Sequence, residues 1–371
     1  MASGRVLVLG AGSSVFAEYP IASDLESFVA RLCQHSDPQT RSHDKEVLNK
    51  LAQSAELLKR QTGRVWNLEE LISYLELVGP AAQSGTKQSK WTAEDQAKLS
   101  RAVSYSFQQH QVYLNGIIQQ AGYPGPAGVM LIKATALRWA NWVQAGDTII
   151  SFNWDLLQEV ILWVAAKWSY LDGYGFESPT VPPGLERSLV RILKLHGSVN
   201  WVQENEKDRA PQIAYIDEFF PDKFPRTQYY PSITPRRDTT KANQLDSGRK
   251  LILPTYLKDI SKNRVLLDVW RLAQDALRAA TEVWVIGYSL NPADHSARLL
   301  FGTELGRNTT LSTGTVINGP AGLGEWDQLL QSAGKRAQSV PQRFEEWLAH
   351  IASSPYDPFP KGYSRFSRKA V

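Results

Sequence analysis

Hydrophobic residues along this chain follow two periods, and the alternation between them outlines an α/β fold. Short runs rich in Val, Ile and Leu predict strands at "RVLVLG", "TIISF", "RILKLHG", "KLILP" and "EVWVIGY", with "TVING" expected as the last strand. Between the later strands, apolar residues recur three or four apart, which predicts helices near 156–171 and 264–280. The sequence therefore predicts a Rossmann-like, doubly wound and mostly parallel sheet, with a large helical insertion after the first strand.

The predicted elements divide the chain into three parts. Residues 1–24 and 144–325 are expected to form one nucleotide-binding domain, which contains a polar, loop-rich segment at 203–248. Residues 25–143, where apolar spacing is helical almost throughout, are expected to form the insertion module. Residues 326–371 are expected to contain a last helix that begins near Pro341, followed by a tail.

Composition limits the classes of protein to consider. The chain has 371 residues, of which 43% are hydrophobic and 21% charged, as in a globular protein. It lacks an apolar run of about 18 residues, and "MASGRVLVLG" resembles a first strand more than a secretion signal, so we expect a cytoplasmic protein that makes no membrane contact. The net charge of +4 is small and scattered, which argues against direct nucleic-acid binding. With Cys33 as the single cysteine, a Cys-rich zinc site is excluded.

The first strand ends in "LGAGSS", where Gly10 and Gly12 allow the backbone to approach a bound group closely. In dinucleotide-binding folds such a turn holds a pyrophosphate on backbone N–H groups. The third glycine of that pattern is absent, because position 15 is Val. Plain packing of a glycine turn against a strand explains these residues equally well.

Polar side chains follow the next two strands. Asn153 and Asp155 come after "TIISF", and His196 follows "RILKL" in the segment "KLHGS". Parallel strands end at one edge of a sheet, so we expect these groups to converge where such folds bind ligands. An imidazole there can move a proton near neutral pH. Taken singly, His196 is better interpreted as a structural histidine at a turn, and Asp155 could be a helix N-cap.

Two later strands also end in small or polar residues. "VIGYSL" places Gly287 and Ser289 after one strand, and "VING" places Asn318 after another. Asp294 is interpreted as the N-cap of the following helix, and His295 as a surface residue in its first turn. Asn318 is placed to meet a ribose or an adenine, although an ordinary turn asparagine would look the same.

In order, "GAGSS", "FNWD", "KLHGS", "LILPTYLK", "IGYSL" and "VIN" resemble the sirtuin family, specifically the bacterial sirtuin-like proteins of antiphage defence. "FNWD" stands where sirtuins have a Thr-x-Asn-x-Asp segment. The resemblance covers residues 5–14 and about 147–320, and leaves out the helical block and the tail. It implies an enzyme that binds NAD as its substrate and cleaves the bond between nicotinamide and ribose.

The resemblance also implies a role for each residue. Asn153 would hold the nicotinamide ribose and the attacking water, His196 would be the general base, and Asp155 would orient the Asn153 loop. The diphosphate would lie on Gly10, Ala11, Gly12 and Ser13, and the ribose and adenine pocket would be lined by Gly287, Ser289 and Asn318.

Two departures from protein-deacylating sirtuins favour water as the acceptor. The four zinc-binding cysteines that follow the catalytic histidine in those enzymes are absent here, and "VFAEYP" replaces their Gly-Ile-Pro-Asp-Phe-Arg segment. We therefore expect no zinc, and hydrolysis of NAD to nicotinamide and ADP-ribose, which starves an infected cell in abortive infection. Protein deacylation or ADP-ribosylation, and non-catalytic sensing of NAD or ADP-ribose derivatives, stay as alternatives.

An enzyme that consumes NAD has to be restrained. The resemblance implies control through a homo-oligomer or a partner such as a HerA-type helicase ATPase or a short Argonaute protein. The helical block and the aromatic tail are the surfaces expected to make these contacts.

Overall fold

The computed structural model describes the sheet and most of its flanking helices. Described are residues 4–25, 38–63, 71–72, 74–75, 127–169, 172–175, 188–202, 212–213, 249–251, 264–292 and 294–352, with scattered positions between 92 and 114. The motif "LILPTYLK", most of the segment 203–248 and the tail after Ala352 lie largely or wholly outside these residues.

Nine strands occur in the described residues. They are β1 (Arg5–Leu9), β2 (Thr148–Ser151), β3 (Arg191–Lys194), β4 (Gly197–Val202), β5 (Gln212–Ile213), β6 (Arg249–Leu251), β7 (Glu282–Ile286), β8 (Thr313–Ile317) and β9 (Arg336–Val340). Six of them form one sheet in the order β3-β2-β1-β7-β8-β9, and every neighbouring pair is parallel. The predicted α/β class is therefore confirmed.

The central strands are apolar on both faces because helices cover both sides of a parallel sheet. All five residues of β1 are buried, and so is the carboxyl-terminal part of β2, β3 and β7. On one side of β1 lie β2 and then β3. On its other side lie β7, β8 and β9, in that order. The order reverses between β1 and β7, and open α/β sheets bind ligands outside the carboxyl ends of the strands at such a point.

Two strand predictions were wrong. "TVING" is not the last strand, because β9 pairs with β8 beyond it. β9 has the sequence RAQSV and is largely exposed at the sheet edge, so it lacks the apolar run that marks a buried strand. The described part of "KLILP" does not join the main sheet: Lys250 and Leu251 belong to β6, which pairs with β4 in a small antiparallel sheet of order β5-β4-β6.

Seven α-helices have their bounds within the described residues. They are α1 (Pro38–Thr62), α2 (Ala127–Trp142), α3 (Leu157–Val164), α4 (Arg264–Ala279), α5 (His295–Arg307), α6 (Leu323–Ser332) and α7 (Phe344–Ala352). α3 is shorter than predicted, since Ala166 has a left-handed φ of 56°. α7 begins three residues after Pro341 and buries Phe344, Trp347 and Leu348, as its apolar spacing predicted.

The described part of 25–143 is helical between β1 and β2, in agreement with a helical insertion. The main sheet extends past residue 325, because β9 belongs to it. None of the described helices is both long and apolar enough to span a bilayer.

Candidate active site

The predicted polar residues lie where successive strands of the main sheet end. Gly10 follows β1 directly, Asn153 is the second residue after β2, and His196 is the second residue after β3. Gly287 follows β7 and Asn318 follows β8 directly. Because all these strands are parallel, the five positions share the carboxyl edge of the sheet, on both sides of the point where the strand order reverses.

The glycines bring the loops after β1 and β7 into backbone contact. Gly10 N–H donates to the Ile286 carbonyl at 3.1 Å, and Gly12 N–H donates to the Gly287 carbonyl at 2.9 Å. A Cβ on Gly12 would lie 2.8 Å from the Gly287 Cα, and a Cβ on Gly287 would lie 2.3 Å from the Ser13 nitrogen. Close packing therefore requires glycine at both positions.

This packing bears on the predicted diphosphate cradle. The amides of Gly10 and Gly12 already donate to the carbonyls of Ile286 and Gly287, at the end of β7 and the start of the loop after it. The amide of Ser13 donates to the Gly10 carbonyl at 2.9 Å. The Ser13 hydroxyl donates to the same carbonyl at 2.7 Å. In this structure a phosphate at the turn would have to be bound by other donors, such as the N–H of Ala11.

Asn153 connects the loop after β2 to the glycine turn. Its side chain is buried, and Nδ2 lies 3.0 Å from the Gly10 carbonyl oxygen, 3.3 Å from Ser13 Oγ and 3.1 Å from Ser14 Oγ. None of these contacts uses Oδ1. The amide nitrogen thus holds the turn after β1, while the carbonyl oxygen is available for a different role.

Asp155 lies at the start of α3. The N-cap position of this helix is Leu156, one residue after the predicted N-cap, and Asp155 makes a capping contact from the position before it: its Oδ1 accepts the Leu157 N–H at 3.0 Å. Burial raises the pKa of the Asp155 carboxyl, while the Lys194 charge, the Leu157 amide and the Ser14 hydroxyl act in the opposite direction. The capping contact also fixes the segment that carries Asn153, two residues earlier.

His196 is buried against aromatic and acidic neighbours. The Phe152 ring meets the imidazole edge-on, with centroids 5.0 Å apart. Nε2 lies 3.2 Å from Oδ2 of Asp294, in the loop that precedes α5. Sequence reasoning treated Asp294 as a helix cap only, and its Oδ1 does accept the Ala297 N–H at 3.3 Å. The contact with His196 joins residues distant in the chain, so no local spacing could have revealed it.

A buried charged group beneath the site was also missed. Lys194 Nζ donates to the Asp155 carbonyl and lies 2.8 Å from Glu159 Oε1. The Tyr174 hydroxyl donates to the same Glu159 oxygen at 3.2 Å. Burial raises the pKa of Glu159, and Lys194 opposes that rise. The available signal was a glutamate inside the mostly apolar α3 sequence LQEVILWV.

Ser289 and Asn318 come after β7 and β8 of the same sheet. Ser289 is exposed after β7. The Asn318 carbonyl Oδ1 accepts the Gly319 N–H at 2.9 Å, and its buried Nδ2 has no hydrogen-bond partner among the residues that the structure describes. Asn318 therefore closes its own turn through Oδ1 and leaves Nδ2 as a donor for something else.

No known family model matches the chain, and no curated protein matches it either. Within the described ranges, no three His, Cys, Asp or Glu side chains are placed to share a metal ion. The chemical groups that the site offers are a buried amide, a histidine next to a carboxylate, and a tight glycine turn at the switch point of a parallel sheet.

Proposed function

We propose that the protein is an NAD glycohydrolase that resembles bacterial sirtuin-like defence proteins. The observation that supports this most directly is the position of Asn153 and His196. They follow neighbouring strands β2 and β3, and Asn153 is hydrogen-bonded to the glycine turn after β1, beside the switch point of the sheet. That is where doubly wound folds bind dinucleotides.

In the proposed reaction, NAD lies across this edge with its nicotinamide ribose next to Asn153. Oδ1 of Asn153 orients the ribose or the attacking water, while Nδ2 keeps the loop in place. The water oxygen bonds to C1′ of the ribose as the bond from C1′ to the nicotinamide nitrogen breaks. His196 accepts the proton that the water loses, and the products are nicotinamide and ADP-ribose.

The protein around these groups is arranged to keep them fixed. The Asp155 carboxylate accepts the N–H of Leu157, the first residue of α3, and the Lys194 ammonium donates to the Asp155 backbone carbonyl, so the segment after β2 is held to the end of β3. Rigid placement of reacting groups lowers the entropic cost of reaching the transition state. We further propose that the activity depletes NAD during phage infection, and that a homo-oligomer or a partner ATPase restrains it.

The test is nicotinamide release by the purified protein incubated with NAD, alone and with a candidate ATPase. We expect Asn153→Ala and His196→Ala each to reduce release by about 100-fold or more. The matched controls are Asn49→Ala and His350→Ala, which change an exposed asparagine on α1 and an exposed histidine on α7. Both controls should keep full activity.

Two results would contradict the proposal. Nicotinamide release that survives both Asn153→Ala and His196→Ala would move the chemistry elsewhere. NAD that binds without being cleaved under any condition would favour a sensor of NAD or its derivatives.

A further inference from the structure

The loop after β7 supplies a carboxylate to the histidine after β3. His196 Nε2 and Asp294 Oδ2 are 3.2 Å apart, and both side chains are almost fully buried. That distance is within the range of a hydrogen bond between a ring N–H and a carboxylate oxygen. Water is largely excluded from the pair, so their interaction is stronger than that of a pair in solution.

The Asp294 carboxylate is held on both of its oxygens. The Tyr288 hydroxyl donates to Oδ2 at 3.0 Å, and the Ala297 N–H donates to Oδ1 at 3.3 Å. The Tyr288 ring stacks on Phe152 with centroids 4.1 Å apart, and Phe152 in turn meets His196 edge-on. Each of these four side chains therefore contacts two of the others, and together they form a closed cycle of contacts: Phe152, His196, Tyr288 and Asp294.

The backbone that carries Tyr288 and Asp294 is fixed as well. Trp326 Nε1–H donates to the Tyr288 carbonyl at 2.6 Å, and Arg298 donates to the Leu290 carbonyl at 2.9 Å. Leu290 itself is fully buried with a left-handed φ of 55°. A bulky residue persists in that conformation only where its surroundings enforce it. The carboxylate therefore cannot easily turn away from His196.

We propose that Asp294 is a positioning residue that sets the protonation of His196. A carboxylate facing Nε2 favours the neutral tautomer with its proton on Nε2, and it stabilises the imidazolium that forms when the ring accepts a second proton. Asp294 thus acts through His196 and makes it a better base. The catalytic part of this inference rests on the proposed NAD hydrolysis, whereas the effect on the imidazole does not.

The first experiment examines the imidazole directly. Nitrogen NMR of isotopically labelled histidine, with the His196 signal assigned from its loss in His196→Ala, reports which ring nitrogen carries the proton. The wild type should show the proton on Nε2. Asp294→Asn keeps an oxygen for the Ala297 amide but presents an NH₂ group to the ring, so the population should shift towards the Nδ1–H tautomer.

The second experiment examines whether Asp294 acts through His196. Asp294→Asn should lower kcat for nicotinamide release by about 10-fold or more, with the Kd for NAD changed less than about threefold. In a His196→Ala background the same substitution should cause no further loss.

Glu304→Gln is the matched control, because Glu304 is another buried carboxylate near the opposite end of α5, paired with Arg278. It should leave the His196 tautomer and kcat unchanged. An unchanged tautomer in Asp294→Asn would overturn the proposal, and so would an equal loss of activity with and without His196. If the wild type releases no nicotinamide, NAD hydrolysis fails while the tautomer measurement still decides the role of Asp294.

Discussion

At the scale of single residues, Lys194 is a lysine that is almost fully buried, which is unusual for a charged side chain. Its side chain is about 1% exposed, as is that of its partner Glu159, and Asp155 is buried next to them. A buried ion pair is a weak source of net stability, since desolvation offsets most of the attraction. Removing one partner is costly, however, because it leaves the other charge buried without compensation.

We predict that Lys194→Met lowers the free energy of unfolding by about 3–5 kcal/mol near pH 8 and by clearly less near pH 5. Burial already raises the pKa of Glu159 and Asp155, and Lys194 counteracts this, so the substitution raises both pKa values further. An acid with a raised pKa in the folded state favours folding at low pH and loses that contribution as the pH rises. Urea denaturation at both pH values measures the difference.

The double variant Lys194→Met/Glu159→Gln is the control. It removes both charges, so it should recover part of the lost stability near pH 8 and depend less on pH than the single variant. A single variant equally destabilised at both pH values would show that Lys194 contributes packing rather than charge compensation.

At the scale of elements, the contact between the turns after β1 and β7 fixes the centre of the site. Gly287 has a φ of +63°, and its missing Cβ leaves room for the Ser13 amide. Gly287→Ala should lower the free energy of unfolding by about 2–4 kcal/mol, since it adds backbone strain and pushes the two turns apart. Chemical denaturation followed by circular dichroism gives the value.

Gly302→Ala supplies the comparison for that variant. Gly302 lies within α5, and a Cβ there would meet nothing within 4 Å. The substitution should raise the free energy of unfolding by about 0.5–1 kcal/mol, because alanine loses less entropy in a helix than glycine. Similar effects of the two substitutions would mean that the turns are not in close contact.

The elements that the sequence predicted well are those that bury their residues without interruption. β1 and β7 are almost wholly apolar, so short Val- and Ile-rich runs identified them. β9 has exposed Arg, Gln and Ser positions at a sheet edge, where no apolar run is needed. Two residues separate β3 from β4, and yet β4 belongs to the separate antiparallel sheet. The hydrophobic pattern along the chain does not show that two consecutive strands belong to different sheets.

For the candidate site, the positions of residues at strand ends could be predicted from the sequence, but their contacts could not. The position of Asn153 and His196 at one edge of the sheet could be predicted because each follows a recognisable strand, and parallel strands end at the same edge. The partners of these residues depend on tertiary contacts between distant segments: Asp294 with His196, and Lys194 with Glu159. The glycine turn was found too, but its amides turned out to be used in packing against the Gly287 loop.

At the scale of the whole molecule, aromatic side chains join three distant parts of the chain on one face of the sheet. Trp142 from the end of α2 meets Trp284 of β7 and Trp347 of α7 edge-on, with centroids 5.3 and 5.0 Å away. Phe344 of α7 packs edge-on against Trp139 at 5.2 Å. The Arg5 guanidinium lies over the Trp142 ring and pairs with Asp147 at 2.7 Å. The last insertion helix and α7 therefore stabilise the same sheet.

This arrangement predicts one cooperative unit. Trp347→Ala should lower the free energy of unfolding by about 3–5 kcal/mol, since it removes a buried ring from the contact between α2, β7 and α7. Tryptophan fluorescence and far-ultraviolet circular dichroism should report a single coincident transition in the wild type and in the variant. Leu299→Ala, at a side chain that is 71% exposed on α5, should change stability by less than about 0.5 kcal/mol. Two separate transitions in the wild type would show that α7 unfolds independently, and the aromatic contacts would then not couple the insertion to the sheet.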